Sequence, residues 1–169
     1  MADLDELLRP LAMRVSKVPA FMGIAALRYA AQKFAQESML WQHSQSIAVQ
    51  NPGGYAIANP AGTTVAAIVA SSLDGRALLQ GVDYELDGSQ WVALRAMSGT
   101  VQTLIALKTA RDSTLIGNEL LDHYEQEIVA GAAAYLGAQE NQPWSLSKLQ
   151  LQIFTDQFES GYQDARKRA

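Results

Sequence analysis

The spacing of apolar residues changes twice along the chain, and each change marks a boundary between helical and extended structure. The segment FMGIAALRYAAQKFAQESMLW places its apolar residues on one helical stripe: Ile24, Leu27, Ala31, Phe34 and Ala35. A shorter helical pattern, DLDELLRPLAMRV, precedes it, with Asp3 as a candidate cap and Pro10 limiting the helix. The pattern therefore predicts helical structure over residues 1–45.

The middle of the chain consists of short runs rich in valine, isoleucine, threonine and aromatic residues, separated by turn sequences. The runs are SIAVQ, GYAIAN, TTVAAIVA, YELDG, WVALRA and VQTLIALKT. Asp-Gly pairs at 74–75 and 87–88 suit tight hairpin turns, which require a positive φ angle. Residues 46–111 are therefore predicted to form an antiparallel β module of about five or six strands.

Helical spacing returns in residues 112–169, in two stretches that flank the break GAQENQPWS. One stripe contains Leu121, Tyr124, Ile128, Ala132 and Tyr135, and the other contains Leu151, Phe154, Phe158, Tyr162 and Ala165. The run from Gly131 to Ala134 has almost no side-chain bulk, so another backbone can approach it closely. The whole chain is predicted to be one α+β domain: N-terminal helices, a central antiparallel β module and a C-terminal helical hairpin with a tail.

Composition narrows the class of protein. The chain has 169 residues, 49% of them hydrophobic, which is enough for a core, and it has no cysteine for disulfides or thiolate metal sites. No apolar run reaches the roughly 18 residues that span a bilayer, and MADLDELLRP lacks the apolar region of a signal peptide. We therefore expect a soluble protein that has no membrane partner.

Charge is distributed unevenly. The net charge of −4 argues against general nucleic-acid binding. Six acidic residues and no lysine or arginine lie between Asp112 and Ser147, whereas the chain ends in RKRA. Two interpretations of Arg166, Lys167 and Arg168 remain: they stabilise the end of a helix through its dipole, or they dock on an acidic partner.

Few residues suggest catalytic chemistry. Glu119, His123 and Glu127 share one helical face, but the other helices carry no matching ligands, so a solvated acidic face is favoured over a metal site. His43 is predicted to lie at the end of the long helix, against its dipole. No G-x-S-x-G elbow and no phosphate-binding glycine loop is present. We expect no catalytic residues, no metal and no cofactor.

The C-terminal hairpin resembles a known structural family. Its first helix has the pattern I-x-x-G-A-x-x-x-L (Ile128, Gly131, Ala132, Leu136), its loop ends in Pro143 and Trp144, and its second helix has F-x-x-G-x-x-x-A-R (Phe158, Gly161, Ala165, Arg166). The early helix, with Phe34 and Trp41, and the β module fit the same pattern, which covers most of the chain. Together they resemble the head-to-tail adaptor, or connector, proteins of tailed bacteriophages.

The resemblance implies a non-enzymatic virion protein, assembled from the host cytoplasm into a closed ring of about twelve copies beneath the portal. It implies that Tyr162, Arg166, Lys167 and Arg168 dock on the portal protein. Gly131, Ala132 and Trp144 would pack subunit against subunit, although Trp144 alternatively anchors its own loop. A downstream neck or tail protein would bind the ring, and genomic DNA would pass through its lumen without sequence-specific contacts. The alternatives are a stopper or tail-terminator ring, or a metal-dependent enzyme that uses the acidic helix.

Overall fold

The computed structural model describes residues 1–169 and contains four α-helices and nine β-strands. The helices are α1 (Leu8–Arg14), α2 (Ala20–Ser38), α3 (Asn118–Gly137) and α4 (Lys148–Arg168), with a 3-10 turn over Leu4–Leu7 before α1. The strands are β1 (Ala2–Asp3), β2 (Gln42–Val49), β3 (Gly53–Ala56), β4 (Thr63–Leu73), β5 (Arg76–Ala77), β6 (Tyr84–Asp87), β7 (Gln90–Ala93), β8 (Gly99–Thr109) and β9 (Leu115–Ile116). The predicted α+β class and the order of helices, β module and helical hairpin are confirmed.

The β module contains two antiparallel sheets, with strand orders β2-β8-β4-β5 and β3-β7-β6. A buried hydrogen bond joins them: the Trp91 indole N–H of β7 donates to Ser71 Oγ of β4 at 3.1 Å, and Ser71 Oγ in turn lies 2.8 Å from Thr103 Oγ1 within the four-stranded sheet. The Trp91 ring stacks on Tyr84 with ring centroids 5.2 Å apart. Trp91 is thus held both by apolar packing and by the hydrogen bond that its indole N–H donates.

Both predicted Asp-Gly turns have the expected backbone. Asp74 and Gly75 have φ angles of 51° and 78°, and Gly88 has 57°. The module begins earlier than predicted, however, because α2 ends at Ser38 and β2 starts at Gln42. His43 pairs with Ile105 in this strand, so its predicted position at the end of a helix is wrong.

The helical body packs around Phe34 of α2. Its ring centroid lies 5.2 Å from that of Tyr124, 5.9 Å from Phe158 and 6.4 Å from Tyr162. The first residues of the chain join this body because β1 pairs with β9 and Leu4 N–H donates to the Thr114 carbonyl at 2.8 Å. None of the helices has the length and apolar character needed to cross a membrane.

Candidate docking surface on the helical hairpin

Glycines allow α3 and α4 to approach each other closely. A Cβ atom at Gly131 would lie 2.6 Å from Phe158 Cε2 and 2.8 Å from Cγ, and one at Gly161 would lie 2.7 Å from Glu127 Cβ. Ala132 has no exposed surface. The close approach permitted by the small residues is therefore inside one chain. Both residues are buried within the chain, with Gly131 at the border of a groove, and their packing against a neighbouring subunit stays a prediction.

The loop between α3 and α4 is tied down at several points. The Trp144 indole N–H donates to Gln139 Oε1 at 2.9 Å, and the half-buried ring packs against the core. Leu146 N–H donates to the Gly137 carbonyl at 3.0 Å. Ser147 then begins α4 with a capping box shared with Gln150. Trp144 thus occupies the anchoring position within its own loop.

Tyr162 lies at the interface between α4 and α2. Its ring meets those of Phe34 and Phe158 edge-on, with centroids 6.4 and 5.5 Å away. Burial raises the pKa of the Tyr162 hydroxyl, and the carboxylates of Glu159 and Glu37 raise it further. The residue therefore contributes to the packing of its own chain, and only part of it is available to a partner.

The basic end of α4 is helical through Arg168 and is not a bare tail. Arg168 Nη2 lies 2.9 Å from Asp164 Oδ2, and its guanidinium lies 5.9 Å from the centre of the Tyr124 ring. The Tyr124 hydroxyl also donates to Asp164, at 2.9 Å. Burial and this hydrogen bond raise the pKa of Tyr124, while Arg168 opposes the rise. Arg168 is therefore already paired within the chain.

Arg166 and Lys167 differ from Arg168 in having no partner. Both side chains are exposed. Neither takes part in a salt bridge, and neither donates a side-chain hydrogen bond within the chain. Of the four residues predicted to dock, these two carry charges that no carboxylate of the chain pairs, and both lie in the last turn of α4, where they also complement the helix dipole.

The acidic face of α3 is interrupted. Tyr124 has non-helical φ and ψ angles of −133° and 22°, which kinks the helix between His123 and Glu127. Glu119 and His123 are exposed, whereas Glu127 is half-buried beside Gly161. These side chains do not come together as a group of potential metal ligands.

An exposed aromatic pair was not expected from the sequence. The rings of Tyr29 and Tyr135 lie 4.5 Å apart, and each residue is 46% exposed. They border a groove of about 210 Å³ between α2, α3 and α4, which is also lined by Lys33 and Glu159. Tyr135 shares the predicted stripe with Ile128 and Ala132, which are buried, but it is itself exposed. The sequence does contain a signal for this exposed surface, which is a second stripe on α2. Phe21, Tyr29 and Lys33 are spaced at multiples of four residues and so share one helical face, and Phe21 is 75% exposed.

The hairpin therefore presents two exposed features, the unpaired cations at the end of α4 and the tyrosine pair beside the groove. No protein-family model matches the chain, and no curated protein matches it either. The assignment of a function consequently depends on the residues of the chain and their arrangement.

Proposed function

We propose that this chain is a head-to-tail adaptor of a tailed bacteriophage, a structural protein that forms a ring beneath the portal and joins the capsid to the tail. The observation that supports this proposal is the arrangement of the residues that carry the resemblance. With few exceptions they meet in one helical bundle, as the residues of one structural unit would.

The buried members of the pattern have clear packing roles. Phe158 fills the notch at Gly131, Gly161 lets α4 approach Glu127, and Phe34 lies among three aromatic rings. The buried set is Phe34, Trp41, Ile128, Gly131, Ala132, Leu136, Phe158, Gly161 and Ala165. Arg166 is different, because it is exposed and unpaired. Core packing does not explain it, and beside its contribution to the helix dipole we assign it to partner binding.

In this proposal Arg166 and Lys167 meet acidic groups on the portal protein. Interface charges of this kind raise the rate at which the two proteins associate and fix their relative orientation. At physiological ionic strength, salt screens the attraction between charges that are more than about 8 Å apart. The net charge of −4 suits a conduit, because a wall of like charge repels DNA phosphates and lets the genome slide. The other face of the ring would receive a downstream neck or tail protein.

Charge reversal tests the docking role. The variant Arg166→Glu/Lys167→Glu should remain folded by circular dichroism but should lose binding to portal rings of the encoding phage. The matched control is Arg76→Glu/Arg111→Glu, which reaches the same net charge from two other exposed arginines. We expect the docking variant to co-sediment at least about tenfold more weakly than the control, since truncating a desolvated charge pair costs about 2–5 kcal/mol. Equal binding of the two variants would refute docking through α4.

The position of the chain in the particle distinguishes an adaptor from a stopper or tail terminator. An electron-dense label on this chain should appear directly beneath the portal in assembled virions. A label at the far end of the neck, or at the end of the tail, would instead favour one of the alternative ring proteins.

A further inference from the structure

One long sheet edge in the β module is unpaired. Strand β2 lies at the edge of its sheet, and its only neighbour is β8. Leu107 N–H donates to the Trp41 carbonyl at 2.7 Å, so odd-numbered residues of β2 bond to β8 and even-numbered ones face outward. The backbone N–H and C=O groups of Gln42, Ser44, Ser46 and Ala48 therefore point away from the sheet, and no hydrogen bond within the chain reaches them.

This edge lacks the usual protection against pairing. Proteins commonly guard sheet edges with lysine, proline, bulges or very short strands. The other edges here follow that rule: β5 has two residues, β3 and β6 have four each, and the part of β4 that the short β5 leaves uncovered has two register shifts. Strand β2 has eight residues, QHSQSIAV, with no proline, no lysine and no carboxylate. It is the long, regular and uncharged edge of the module.

We propose that, in the free chain before it assembles on the portal, β2 pairs antiparallel with β2 of a second copy of this chain, about a two-fold axis at Gln45. Neighbours in a closed ring are not related by a two-fold axis, so this pair opens when the ring forms. In this register Gln42 lies opposite Ala48 of the second copy and Ser44 lies opposite Ser46, so every outward-facing residue meets another one. Each such pair exchanges two backbone hydrogen bonds. The pairing continues the four-stranded sheet of one copy into that of the other.

Two observations favour a second copy over another partner. The edge is self-complementary and uncharged, so two chains that each carry −4 can pair there without placing like charges opposite each other. Gln45, at the centre, has a buried Nε2 without a hydrogen-bond partner, while its Oε1 accepts from Ala58 N–H at 2.9 Å. The two-fold pair places residue 45 of the second copy directly across from this one.

Cysteine cross-linking tests the register. Because the chain has no native cysteine, any disulfide must form between the introduced residues. In the proposed pair the two copies of residue 45 form a non-hydrogen-bonded pair with Cα atoms about 4.5 Å apart, within the range of disulfides. The variant Gln45→Cys should therefore form a disulfide-linked dimer under mild oxidation. The control Ala48→Cys lies on the same exposed strand, but its two copies would be about 20 Å apart. Equal cross-linking of both variants, or none by Gln45→Cys, would overturn the proposal.

Sedimentation equilibrium of the unmodified chain provides the second test. An edge contact of this size is small, so we expect a dissociation constant in the micromolar range. Ser44→Pro removes one outward N–H per copy, leaves the bonds to β8 intact, and should weaken the dimer about tenfold or more. The control is Ser44→Ala, which removes the same side chain but keeps the outward N–H. A monomeric wild-type chain, or an unchanged constant in a folded Ser44→Pro variant, would overturn the pairing. Helix α4 ends beside this edge, with the Ala169 carbonyl oxygen 3.5 Å from Gln42 Nε2, so both variants are measured in both assays. Ser44→Pro keeps Arg166 and Lys167, and Arg166→Glu/Lys167→Glu keeps the β2 backbone, so the two proposals fail separately.

Discussion

The contact between Gly131 and Phe158 makes a quantitative prediction about the substitution Gly131→Ala. In most exposed helix interiors this change is stabilising by about 0.5–1 kcal/mol, since alanine is the better helix former. Here the added methyl group would lie 2.6 and 2.8 Å from two atoms of the Phe158 ring, and closer still to Cδ2. Tyr162 and Phe34 pack against that ring, and Phe158 is only 6% exposed, so the ring has little room to move.

Overpacking of a core contact costs about 1–3 kcal/mol, which exceeds the gain in helix propensity. We therefore expect Gly131→Ala to destabilise the chain by about 1–2 kcal/mol, or to lower Tm by about 2–8 °C for a domain of this size. Urea unfolding followed by circular dichroism measures the free energy of unfolding. The control is the reverse substitution at an exposed site of α2, Ala25→Gly. It measures the difference in helix propensity between alanine and glycine in the same protein, without a core contact.

A double-mutant cycle shows whether the clash is the cause. Phe158→Leu removes the ring atoms that the new methyl group meets, so Gly131→Ala should cost less in that background than in the wild type. An increase in stability for Gly131→Ala alone, or strictly additive effects in the cycle, would show that the ring moves freely and that the close approach of α3 and α4 does not depend on glycine.

Three other expectations concern capping, pH and a buried hydrogen bond. Ser147→Ala removes the capping box of α4 and should cost about 1 kcal/mol in chemical denaturation. Tyr124 and Tyr162 have a raised pKa in the folded chain, so the stability that they contribute is complete below the ordinary value of 10.0 and is lost as pH rises through the raised pKa. The double phenylalanine variant should accordingly lose less stability than the wild type between about pH 9 and pH 11. Ser71→Ala leaves a buried indole N–H without its acceptor and should cost about 1–3 kcal/mol, whereas Ser72→Ala should be nearly neutral.

Hydrophobic periodicity located the long helices because their buried stripes repeat at 3.6 residues. Phe34 and Phe158 were both placed correctly on buried stripes in this way. Turn chemistry located the strands, since Asp-Gly pairs report a backbone requirement directly. Both signals are local, and the structure confirms the α+β class that they indicate.

Other features depend on contacts that no local pattern reports. The segment QHSQ is polar, yet backbone hydrogen bonds to β8 make it a strand, so His43 was misplaced. Tyr135 lies on a helical stripe with buried residues, but it is exposed beyond the contact with α2. Gly131 was correctly identified as a point of close approach, and only the structure shows that Phe158 of the same chain occupies it. At the basic end, spacing alone does not show which cation Asp164 pairs with.

The pairing of β1 with β9 has a consequence for the order in which the chain folds. The partners of Ala2 and Asp3 are Ile116 and Leu115, and α2 packs on two helices that follow the whole β module. The contacts of the module itself lie within residues 42–109, so it can fold as soon as that segment leaves the ribosome. Helix α2 also contacts β8 and can pack on the finished module, but the aromatic partners of Phe34 lie on α3 and α4 and are made last, so Phe34 stays exposed in the meantime. We expect ribosome-bound chains that end before α3 to show a protected β module and, in hydrogen exchange, weaker protection of α2 than in the complete chain.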